Sequence, residues 1–222
     1  MSAFLGQIHY WLYKKIQLLA DRENLILDKT RNVIDDLADE LHEISVETYG
    51  APIDPSIPLE DIIEHDNIHG WLQNQIMVSS VREASFVKDL LDATHGEEAL
   101  PTITAILDAY ATHGTACGTV AKEQIKEDNA EMLYNVLQNF YVNGMPCDGG
   151  DQLIGATQDI YKWVGDHQHQ AGYWKTAGVD PKFMALAYQT WFDYFVRAAS
   201  DNYQFVVEDQ EGPQAIYAIV KK

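Results

Sequence analysis

The chain is short of basic residues, cysteines and long apolar runs, and each shortage excludes a class of protein. Lys and Arg number 15 against 34 Asp and Glu, which gives a net charge of −19. Such a surface repels phosphate backbones and anionic lipid headgroups, so we expect no nucleic-acid partner and no membrane partner. A run of about 18 apolar residues, which a membrane-spanning helix needs, does not occur.

Two cysteines, Cys117 and Cys147, are too few for a disulfide framework, so we expect a cytoplasmic protein. Whether these two thiols pair with each other is left open. Short catalytic motifs are also missing. The sequence has no Gly-rich phosphate loop after a strand, no G-x-S-x-G elbow and no Cys-x-x-Cys pair. Nucleotide-binding folds, that class of hydrolase and zinc knuckles are therefore not expected.

What the chain does contain is helical periodicity, with apolar residues recurring at spacings of three and four. It predicts an all-α (mainly) fold: an up-and-down helical bundle with additional C-terminal helices, forming a single domain over 1–222. A small C-terminal β-hairpin at about 203–220 follows from two β-rich runs around a turn. The sequence leaves open whether the first helix, at about 3–20, continues into the second, which ends near 48. The pattern also predicts a short helix over 153–164, a loop over 165–174 and a last helix that starts at Asp180-Pro181.

Polar side chains stand in the apolar stripes of these helices. His113 and Cys117 belong to a three–four rhythm along the fourth helix, which places both on its core-facing side. His9 lies in the stripe of the first helix, Glu40 in the second and His69 in the third. Because burying an unpartnered polar group costs a few kcal/mol, such groups must satisfy each other, hold water or bind a ligand.

The spacing of these residues suits metal ligands. His65 and His69 are one helical turn apart, Asp66-x-x-His69 pairs a carboxylate with an imidazole, and His113-x-x-x-Cys117 combines nitrogen with sulfur. In helix count and inward polar residues the chain resembles ferritin-like, hemerythrin-like and DinB-like proteins in outline. The two Glu-x-x-His motifs of ferritin-like di-iron proteins are missing, so no family residues are carried over.

Three functions are compatible with this pattern. The first is a metal-binding protein with an internal site, acting as a redox or hydrolytic enzyme on a small molecule. Iron or zinc would be the ion, and the ligands would be His9, Glu40, His69, His113 and Cys117. The second is a binding module whose cavity holds haem or an apolar ligand. The third is a structural or interaction bundle whose buried polar groups only fix helix register. The sequence leaves the oligomeric state open.

Overall fold

The computed structural model describes residues 5–145, 151–166, 168–211 and 214–222. The fold is mainly helical, with a C-terminal antiparallel sheet of four strands. Over the described ranges the helices are α1 (Gln7–Ile34), α2 (Asp36–Tyr49), α3 (Leu59–Ile62), α4 (Ile68–Ala93), α5 (Ala99–Lys122), α6 (Ala130–Leu137), α7 (Gln168–Ala177) and α8 (Pro181–Ala199). The strands are β1 (Gln152–Ala156), β2 (Ile160–Asp166), β3 (Tyr203–Glu211) and β4 (Gln214–Lys221). No helix in these ranges is long and apolar enough to cross a membrane.

The first long helix runs without interruption through Asp21 and ends only at Asp35, where φ is 48°. There the chain turns back, and α2 folds against α1 while packing most extensively against α4. In the same way, α5 follows α4 in the chain but packs mainly against α1 and α8. The helix that follows α1 in the chain thus packs mainly on α4, and the helix that follows α4 packs on α1 and α8.

The sheet has the strand order β1-β2-β4-β3, with every neighbouring pair antiparallel. One face is covered by α6 and α8. Tyr134 of α6 stacks on Tyr161 with ring centroids 4.2 Å apart, and Trp163 lies buried beside them. The predicted C-terminal hairpin is β3 and β4, and it forms one half of this sheet.

Two predictions in this region are wrong. The segment predicted as a helix over 153–164 forms strands β1 and β2, and the loop predicted over 165–174 includes most of α7. Leu153, Ile160 and Val164 fit a helical rhythm by spacing, but the residues that β2 buries are Tyr161 and Trp163, which alternate with period two. The aromatic alternation was the stronger signal. The predicted start of α8 is confirmed, because the Asp180 side chain accepts a hydrogen bond from the Lys182 amide.

The closest helix contact joins α5 to α8 through two glycines. A Cβ at Gly114 would lie 2.5 Å from the carbonyl oxygen of Trp191, and a Cβ at Gly118 would overlap the carbonyl of Phe195. Because Gly114 and Gly118 face α8, the residues just before each of them, His113 and Cys117, are rotated toward α1. The glycines therefore set the orientation of the pair.

We predict that Gly114→Ala lowers the free energy of unfolding by about 2 kcal/mol, because the new methyl group forces the two backbones apart. Urea denaturation measures the change. The matched control is Gly172→Ala in α7, where an added Cβ meets nothing within 4 Å. That variant should gain about 0.5 to 1 kcal/mol from helix propensity. Equal effects at the two positions would contradict the close contact.

Candidate functional site

The structure does not bring the five predicted ligands together at one point. His9 contacts His69, His113 contacts Cys117, and Glu40 is exposed on α2. Across the described ranges, no three His, Cys, Asp or Glu side chains converge in a way that could hold a metal ion. The chemistry of the chain must therefore be considered pair by pair. Cys147 lies outside the described residues.

The first pair joins the N-terminal turns of α1 and α4. The Nε2 atoms of His9 and His69 are 3.3 Å apart, and their ring planes are tilted by 57°. His9 is buried, whereas His69 is exposed, so the pair is reached from solvent on one side. Burial and the neighbouring His69 ring both lower the pKa of His9. His9 therefore presents a neutral imidazole near neutral pH.

The hydrogen bonds of His9 define where its ring proton lies. The backbone amide of Gly6 donates to Nδ1 of His9 at 2.9 Å, which places the proton of the neutral ring on Nε2. That proton then points to Nε2 of His69, which accepts it. The two rings are thus joined by one hydrogen bond, in which His9 donates.

His113 is held in the core by partners on two other helices. The indole Nε1–H of Trp191 donates to His113 Nδ1 at 2.8 Å, and the ring also hydrogen-bonds to the backbone carbonyl of Leu18. Burial, together with the charge on Arg22, lowers the pKa of His113 to about 3. Both ring nitrogens are therefore hydrogen-bonded inside the core, and a metal ion or a haem iron would have to break one of these bonds at a side chain that is only 4% exposed.

Cys117 is a free, buried thiol whose sulfur lies 3.8 Å from both ring nitrogens of His113. Burial raises the pKa of this thiol to about 12. A thiol beside a neutral imidazole lacks the thiolate that nucleophilic catalysis requires. His113 and Cys117 therefore act as packed core residues and not as a catalytic dyad.

The most buried charges of the molecule were not predicted from the sequence. Arg22 and Glu23 of α1 are buried, and so are Arg82 and Glu83 of α4. Arg22 donates to both carboxylate oxygens of Glu83 at 2.9 Å, and Arg82 donates through Nε to both oxygens of Glu23 at 2.9 Å. We refer to these two contacts as the crossed ion pairs.

Neighbouring side chains add hydrogen bonds to the crossed ion pairs, although Nη2 of Arg82 is buried without a partner among the described residues. The Tyr110 hydroxyl donates to Glu83 at 2.7 Å, and Arg22 also donates to the Tyr188 hydroxyl. His42 lies 2.9 Å from Glu23. Burial opposes the charge on Arg22, but Glu83 outweighs it and holds the pKa of Arg22 well above its ordinary value. The charges are thus paired in the way that burial demands.

A repeat in the sequence explains both sets of contacts. From position 8 to 23, seven of sixteen residues recur sixty positions later: Ile8, His9, Trp11, Leu12, Ile16, Arg22 and Glu23 match Ile68, His69, Trp71, Leu72, Ile76, Arg82 and Glu83. Both helices run in the same direction, and equivalent residues face each other across a pseudo-two-fold axis. The repeated I-H-x-W-L and R-E strings were the signal that could have located the crossed ion pairs.

Lys15 is a further buried cation. Its ammonium lies 3.9 Å from the centre of the Trp11 ring. It also donates to the carbonyl of Gln138, the C-cap residue of α6. Burial lowers the pKa of Lys15 to about 7, although Asp151 opposes the change. A cation at this carbonyl is favourable, since the C-terminal end of a helix carries partial negative charge.

We predict that His113 makes the fold sensitive to acid. Its pKa is about 3 in the folded chain and 6.5 ordinarily, so between these values only the unfolded chain takes up the proton. The neutral His113 ring therefore costs the fold no stability above pH 6.5, and the free energy of unfolding falls as the pH decreases from 6.5 toward 3. Urea denaturation should show that His113→Gln loses about 2 kcal/mol less than the natural chain between pH 7 and pH 4.5.

The control for that measurement is His95→Gln, since His95 is exposed. This variant should show the same loss of stability as the natural chain. An unchanged pH dependence in His113→Gln would show that His113 is not the buried neutral ring described above.

The comparisons give no relative from which a role could be transferred. The chain matches no family model, no curated protein and no solved structure. The function must therefore be inferred from the geometry of the chain's own residues.

Proposed function

We propose that the chain is a metal-binding helical-bundle protein that holds one transition-metal ion between His9 and His69. The observation that carries the proposal is the 3.3 Å separation of the two Nε2 atoms. Two imidazoles bound to a tetrahedral zinc ion at 2.0–2.1 Å would place their nitrogens about 3.3 Å apart. The two side chains therefore need little movement to share an ion in place of a proton.

The surroundings of the pair support this proposal. The buried leucines Leu12 and Leu72 lie one turn below the two histidines and pack in the same apolar cluster. Such packing limits the movement of both rings and lowers the entropic cost of binding. The exposed side of His69 gives an ion access from solvent, and the net charge of −19 raises the local concentration of cations.

The proposal retains two of the five predicted ligands. His113 is buried and hydrogen-bonded to Trp191 away from this pair, and Glu40 is exposed on a different helix. Water would complete the coordination of an ion held by two imidazoles, which leaves positions open for a small molecule. The proposal assigns metal binding and no reaction.

Metal binding has a cost at the start of α1. In the structure, Nδ1 of His9 accepts a hydrogen bond from the Gly6 amide. If His9 binds an ion through Nε2, its ring proton must move to Nδ1, which can then no longer accept that bond. The Gly6 hydrogen bond must therefore break as the ion binds. Binding should thus be reported by the Gly6 amide resonance as well as by heat.

We predict that the metal-free chain binds one Zn²⁺ in isothermal titration calorimetry and that His69→Ala weakens binding by about tenfold or more. His69→Ala is the preferred variant because the side chain is exposed and its loss leaves the core intact. The Gly6 amide resonance should shift on zinc addition in the natural chain and not in His69→Ala.

Two matched controls separate this site from others. His113→Gln and His65→Ala should both bind zinc as the natural chain does, since His113 is occupied and His65 hydrogen-bonds to the Glu60 carbonyl. Zinc binding that survives His69→Ala, or that disappears in His113→Gln, would contradict the proposal.

A further inference from the structure

A second site lies between α1 and α5, on the far side of His113 from Trp191. Here the two helices leave a groove of about 480 Å³. Leu18, Leu25, Cys117 and Phe140 form its apolar interior. Small-molecule sites usually span about 300 to 1,000 Å³ and are mostly apolar with a few polar groups, and this groove has those properties.

The two edges of the groove differ in charge. The α5 edge is formed by Ala116 and by Val120, which is 50% exposed. The α1 edge carries Lys14, Asp21, Asn24 and Asp28. A ligand in the groove would thus contact apolar side chains in its interior and along α5, and ionised groups along α1.

Asp21 is the polar group at the centre of this edge. Its side chain is exposed at the rim of the groove, where partial desolvation raises its pKa, and it makes no hydrogen bond or ion pair with any group in the ranges that the structure describes. Lys14 lies seven residues away along α1, about 10 Å along the helix axis. An unpaired carboxylate at the rim of an apolar groove is stabilised by a cationic ligand.

We propose that the groove between α1 and α5 binds a small amphipathic cation, with its apolar body on Leu18, Leu25 and Phe140 and its ammonium group against Asp21. The occupant is not haem, because both nitrogens of His113, the histidine that lines the groove, are already hydrogen-bonded. An apolar anion is disfavoured by Asp21 and Asp28 and by the net charge of the chain.

Three probes of equal chain length test the proposal: octylammonium, octanol and octanoate, each titrated into the full chain by calorimetry. Octylammonium should bind with one-to-one stoichiometry and about tenfold more tightly than octanol, and octanoate should bind most weakly. Equal affinity for the three probes, or no saturable binding of octylammonium, would overturn the proposal.

Variants assign the binding to the groove. Asp21→Asn should reduce octylammonium affinity to that of octanol and leave octanol unchanged, whereas Ala116→Trp should abolish binding of both by filling the groove. Ala116 is exposed, so the larger side chain does not disturb the core. Asp193→Asn on α8 is the charge-matched control and should leave every affinity unchanged. Octylammonium binding unaffected by Asp21→Asn would contradict the assignment.

Discussion

The crossed ion pairs between α1 and α4 are the constraint on which the arrangement of this molecule depends. Four ionised side chains lie in the core, and each would cost several kcal/mol if it lost its partner. A shift of one helix by a turn along the other would separate both pairs and leave buried charges without partners. The pairs therefore fix the register of two parallel helices more strictly than apolar packing could, because apolar side chains tolerate a change of neighbour.

That register also determines which residues meet at the N-terminal ends of the two helices, about 20 Å from the crossed ion pairs. His9 precedes Arg22 by 13 residues, and His69 precedes Glu83 by 14. Because α1 and α4 run in the same direction and are aligned at the crossed ion pairs, their N-terminal turns also lie at the same height. The two imidazoles therefore come within contact distance. His113 differs from this pair, because its position is set by hydrogen bonds to Trp191 and to a backbone carbonyl of α1. His9 and His69 form a contact that solvent reaches from one side, whereas His113 is buried with its ring nitrogens hydrogen-bonded.

The sequence predicted those parts of the fold that local chemistry controls. The Asp180-Pro181 start of α8 and the β-rich C-terminal hairpin are local signals, and both appear in the structure. The inward orientation of His113 and Cys117 also followed from periodicity. Periodicity failed over 153–164, where a helical spacing coincided with a strand, and it could not say which inward residues meet. Glu40 shows that limit, since its place in an apparent stripe did not bury it. The pairing of His9 with His69 is a long-range contact, and only the sixty-residue repeat carried information about it.

The most direct test of this account is a double-mutant cycle across Arg22 and Glu83, with Arg22→Met and Glu83→Gln measured alone and together by urea denaturation. Each single variant leaves an unpaired partner in the core and should cost about 3 to 5 kcal/mol. The double variant should cost at least about 2 kcal/mol less than the sum of the two. Costs that add within about 0.5 kcal/mol would show that the two side chains act independently, and would contradict the claim that the crossed ion pairs set the register of α1 and α4.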